Sequence, residues 1–86
     1  MNTKHTHEFV ETYDGIGAFG WDRKTDEETV MFYLQKFSDD TFLTHIMHKL
    51  SGEELEEVYN LINRLLRTHL SEKDYHQLFL KDDSHK

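Results

Sequence analysis

From Leu50 to Leu70 the chain carries one signal that limits everything around it: Leu55, Val58, Tyr59, Ile62, Leu65, Leu66 and His69 recur at three- and four-residue steps. That spacing places them on one stripe of a 3.6-residue helix, with the charged residues on the other faces. An amphipathic helix needs cover for its stripe. The segment therefore predicts an all-α fold, a compact bundle of four or five helices in which the rest of the chain packs around this one.

The other helices are read from their start signals. Phe37-Ser38-Asp39-Asp40-Thr41-Phe42, Leu50-Ser51-Gly52-Glu53-Glu54-Leu55 and Leu70-Ser71-Glu72-Lys73-Asp74-Tyr75 each bracket a serine N-cap with apolar residues five apart, able to close as a hydrophobic staple. The residue before each serine is also the last apolar residue of the preceding helix. These junctions are expected to be sharp corners. Upstream, Thr25-Asp26-Glu27-Glu28 reads as a capping box opening a helix with Val30, Tyr33, Leu34 and Phe37 on its inner face. The stretch Thr29 to Leu34 is also rich in β-formers, which leaves an α+β alternative with a β-hairpin from about 16 to 35. Phe9, Val10 and Tyr13 fit one side of a short additional helix, and the helix after Ser38 would turn Phe42, Leu43, Ile46, Met47 and Leu50 inward.

With 86 residues, the expectation is one helical domain over 1–86 with frayed tails at about 1–7 and 82–86. A chain of this size buries roughly 60–65% of the surface its unfolded form exposes, which leaves little room for a deep cleft. There is no cysteine, hence no disulfide and no thiolate nucleophile or ligand. The amino-terminal residues lack the apolar run of a signal peptide and no later run reaches membrane-spanning length, so the expected setting is cytoplasmic, without membrane partners. A net charge of -7 argues against nucleic acid, whose binding needs clustered lysine and arginine. Most of the acids fall in first helical turns, where the helix dipole favours anions. The acidity is therefore read as architectural.

Candidate chemistry is sparse. Gly15, Gly17 and Gly20 match G-x-G-x-x-G, but the dinucleotide reading needs a preceding strand and a parallel sheet beyond, and neither is visible. The stretch Asp14 to Trp21 is read as a structured loop folding Ile16, Phe19 and Trp21 onto the helices. Ser38, Ser51 and Ser71 are occupied as caps, so no catalytic residue and no cofactor is expected. Among seven histidines, His45 and His48 stand three apart on one helix, a spacing that lets two imidazoles reach one metal ion. A working site needs a third ligand, for which His5 and His7, or a symmetry mate, are the candidates. Trp21, Phe32 and Leu61 are large apolar residues that fit no stripe, and aromatic anchors carry much of the energy of protein interfaces. The reading that follows is a small acidic non-catalytic interaction or regulatory module that binds another protein or itself as a homodimer, through Trp21, Phe32 and Leu61. The alternative is a metal-binding or metal-sensing helical protein using His45 and His48.

Overall fold

A computed structural model describes residues 6–15 and 18–82. The fold is all-α: α1 (Phe9–Thr12), α2 (Arg23–Phe37), α3 (Asp40–Met47), α4 (Gly52–His69) and α5 (Glu72–Asp74), the last running into a π-helical turn, π1 (Tyr75–Leu80). The described residues contain no strand, so the β-hairpin alternative is not supported; Thr29 to Leu34 lie inside α2. The chain divides into two units, Met1–Lys49 and Leu50–Lys86.

In the first unit, α2 starts three residues before the predicted helix start. Asp22 is its N-cap, accepting from the Thr25 backbone N–H at 2.7 Å, which corrects the expectation of a Thr25 cap. That hydrogen bond holds the Asp22 carboxyl below its usual range. With a depressed folded pKa, the cap is at full strength above the ordinary carboxylate range and is lost as pH falls through the folded value. The earlier start frees the side chains of the first two turns for another use. Asp26 Oδ1 accepts from the Gly20 N–H at 2.7 Å, and Thr29 Oγ1 donates to the Ala18 carbonyl at 2.9 Å. Both bonds draw the glycine-rich loop onto α2.

The inner face of α2 is accordingly not the predicted one. Val30, Tyr33, Leu34 and Phe37 are all exposed, whereas Thr29 is buried with 5% of its surface accessible. Thr25, Phe32 and Gln35 are half-buried beside it. Here α1 docks: Phe9 stacks on Tyr13, the Tyr13 ring meets Phe32 at 5.0 Å between centroids, and Gln35 Oε1 accepts from the Val10 N–H at 2.9 Å. The physical reason is that the loop and α1 bring unpaired backbone groups that need hydrogen-bonding partners, and only the polar side of α2 can supply them.

At the next corner Ser38 closes α2 and Asp39 caps α3, accepting from the Phe42 N–H at 3.1 Å; the predicted serine cap is displaced by one residue. Ser38 instead donates its hydroxyl to the Gln35 carbonyl at 3.2 Å and lies 2.8 Å from His7 Nε2. Phe37 and Phe42 still meet edge to face at 5.3 Å, so the apolar bracket forms around a different cap. On α3, Leu43, Ile46 and Met47 are half-buried, as their spacing predicts.

The second unit follows its sequence signals closely. Ser51 accepts from the Glu54 N–H at 3.1 Å while Glu54 Oε1 accepts from the Ser51 N–H at 2.9 Å, a complete capping box. Ser71 caps α5 through the Asp74 N–H at 3.1 Å. Ser51→Ala removes one side of the box and is expected to cost α4 about 1 kcal/mol. The first-turn amides of Glu53 and Glu54 should then exchange faster, and unchanged protection there would count against a stabilising box. After α5 the backbone widens into π1, where Tyr75 and Phe79 stack at 5.6 Å, and Lys81 ends the turn in the left-handed region at φ 54°.

Candidate functional site

The three apolar residues singled out from the sequence have different surroundings. Trp21 stands at the end of the glycine-rich loop with 75% of its surface accessible. Phe32 is half-buried, its ring set between Tyr13 and Tyr33 with the Lys36 ammonium 5.2 Å from its centroid. It is the residue on which α1 is seated. Leu61 belongs to the second unit, exposed on α4 and bordering a shallow depression with Asn60, Asn63, Arg64 and Arg67.

The loop that presents Trp21 is fixed at both ends of its described part. Gly20 has φ 94°, a left-handed conformation that favours glycine, and its N–H is taken up by Asp26. A side chain at Gly15 would run into the Tyr13 ring. Ile16 and Gly17 lie outside the described residues. Among the described residues the amides of Thr25 and Gly20 are taken up by the Asp22 and Asp26 carboxylates, so neither is free for a phosphate.

His45 and His48 share the exposed side of α3 with Thr41 and Thr44, and together with Asp40 and Lys49 they line an open, shallow depression. Of their two candidate co-ligands, His7 is engaged at the Ser38 corner and His5 lies outside the described residues. Among the described residues no group of three or more His, Cys, Asp or Glu side chains is placed to hold a metal ion. Two imidazoles on an open helix face form a loose chelate without the partners that orient the rings of a working site.

Sequence reasoning missed the largest feature of both units. Along α2 the face of Val30, Tyr33 and Leu34 is exposed, and along α4 so are Leu55, Val58, Tyr59, Ile62 and Leu65. The described residues include no fully buried apolar side chain. The signal was present in α4, whose stripe is wider than short, weakly apolar neighbours such as α5 can cover. In α2 no pattern marks it, since hydrophobic spacing assigns those residues to a core. Among the described residues no helix is long and apolar enough to cross a membrane. No family model, curated protein or solved structure matches the chain.

Proposed function

We propose that the chain is a small non-catalytic protein-interaction module. The observation that carries this reading is the exposure of large apolar side chains in rows on α2 and α4, together with Trp21. A row of large apolar side chains left exposed along a helix of a small protein suits an interaction site, and a protein partner is the occupant whose own apolar surface gains most from covering it. The non-catalytic reading is supported by the use of several polar groups among the described residues. Ser51 and Ser71 cap helices, Asp22 and Asp39 do the same, and Thr29 holds the loop.

Affinity capture from cell extract with the wild-type chain, Trp21→Ala and Leu61→Ala tests this. A tryptophan at the centre of an interface is worth roughly 2 kcal/mol or more, so loss of Trp21 should reduce capture of a specific partner at least about thirtyfold. Identical capture by all three proteins sinks the reading. Phe32→Ala is unsuitable as a discriminator, because the ring also seats α1.

A further inference from the structure

The apolar stripe of α4 reads the same from either end. Ile62 is its centre: Tyr59 and Leu65 lie three residues to either side, Val58 and Leu66 four, and Leu55 and His69 seven. On a helix of 18 residues, about 27 Å long, these seven residues span roughly 120° of the surface. Five of them are exposed large hydrophobics, Ile62 to 42%. From the symmetry of this stripe and the charges beside it, we infer that α4 pairs with α4 of a second copy of this chain, antiparallel, with the two-fold axis at Ile62. The inference rests on the reading of the chain as an interaction module and names its partner.

Antiparallel pairing through Ile62 places Tyr59 in one layer with Leu65 of the second copy, Val58 with Leu66, and Leu55 with His69. Every layer then holds one side chain from each helix, on opposite sides of the seam, which is how facing helices interdigitate. Leu61, just outside the stripe, meets its own equivalent along one edge of the seam, and Asn63 does so along the other.

Charge selects this orientation over the parallel one. The first half of α4 carries Glu53, Glu54, Glu56 and Glu57, and the second half carries Arg64, Arg67 and His69. Parallel pairing would gather the glutamates of both copies at one end. Antiparallel pairing sets the glutamate-rich half of each helix alongside the Arg64 and Arg67 half of the other, twice by symmetry. The helix dipoles oppose each other as well. Seven residues per copy form an interface below the usual size for stable complexes, so the dimer is weak and concentration-dependent.

Sedimentation equilibrium of the full chain from about 10 μM to 1 mM tests the pairing, with far-ultraviolet circular dichroism to confirm that each variant keeps its helices. The wild-type chain should pass from monomer to dimer over this range. Ile62→Asp brings two carboxylates into the central layer and should weaken association at least tenfold. The chain has no cysteine of its own, so orientation is read from single cysteines at the two ends of the stripe: a mixture of Leu55→Cys and His69→Cys chains should oxidise mainly to the mixed disulfide. A wild-type chain that is monomeric throughout overturns the homodimer. Association that persists while each cysteine variant pairs with itself instead overturns the antiparallel arrangement. The interaction module itself is judged separately: it survives a monomeric result if Trp21→Ala still loses a captured partner, and falls with the dimer if neither effect is seen.

Discussion

Replacing Phe32 with alanine is expected to release α1 from α2 and to lower the stability of the first unit by about 2 kcal/mol. A fully buried phenylalanine truncated to alanine costs roughly 3–5 kcal/mol, and Phe32 is only half-buried, which brings the figure down. What is lost is specific. The ring meets Tyr13 at 5.0 Å and lies under the Lys36 ammonium, contacts worth about 0.5–1.5 and 0.5–1 kcal/mol respectively. The four residues of α1 cannot persist as a helix without this support, because an isolated helix so short is unstable in water. Hydrogen exchange reads the outcome at one amide: Val10 N–H, bonded to Gln35, should lose its protection while amides in the middle of α4 keep theirs. If Val10 stayed protected, Phe32 would not be the seat of α1.

The second large effect is expected at Thr29, whose hydroxyl is the anchor of the glycine-rich loop. Thr29→Val keeps the shape and removes the donor, leaving the part-buried Ala18 carbonyl without its bond. The expected cost is about 1–3 kcal/mol. Thr29→Ser keeps the hydroxyl and should lose less, so the difference between the two variants isolates the hydrogen bond from the packing. The readout is the mobility of Trp21, eight residues upstream in the same loop. Its fluorescence anisotropy should fall in Thr29→Val and stay near wild type in Thr29→Ser. Equal anisotropy in all three proteins would mean that Asp26 and Gly20 hold the loop alone.

Both effects fall in the first unit, and that is where sequence reading succeeded least. Within α4 and α5 the serine caps and the amphipathic stripe were legible, because each is a local relation between residues three to seven apart on one helix. Around α2 the same grammar misplaced two caps. Asp22 and Asp39 outcompeted Thr25 and Ser38 as N-caps, and sequence alone ranks aspartate, serine and threonine almost equally for that position. The inner face of α2 was misread for a different reason. Hydrophobic spacing weighs apolar burial alone, whereas α1 and the loop dock on α2 through Gln35, Asp26 and Thr29 as well as through Phe32.

The candidate site shows the same division. His45 and His48, read as three apart on one helix, do share one side of α3, since helical phase decides that. Phe32 was grouped with Trp21 and Leu61 because all three depart from their stripes. In the fold one supports α1, one stands open on a loop and one lies on a helix of the other unit.

The amino-acid sequence by itself determined the all-α class, the start of α4 and α5, and the stripe centred on Ile62, because helix propensity, capping and periodicity act within a single segment. Only the tertiary structure decided which face of α2 turns inward, that Phe32 belongs to the packing of α1, and that the stripes of α2 and α4 remain exposed. Those outcomes depend on which distant groups satisfy one another's hydrogen bonds and cover one another's surface. Such relations are carried by pairs of segments, and no single segment records them.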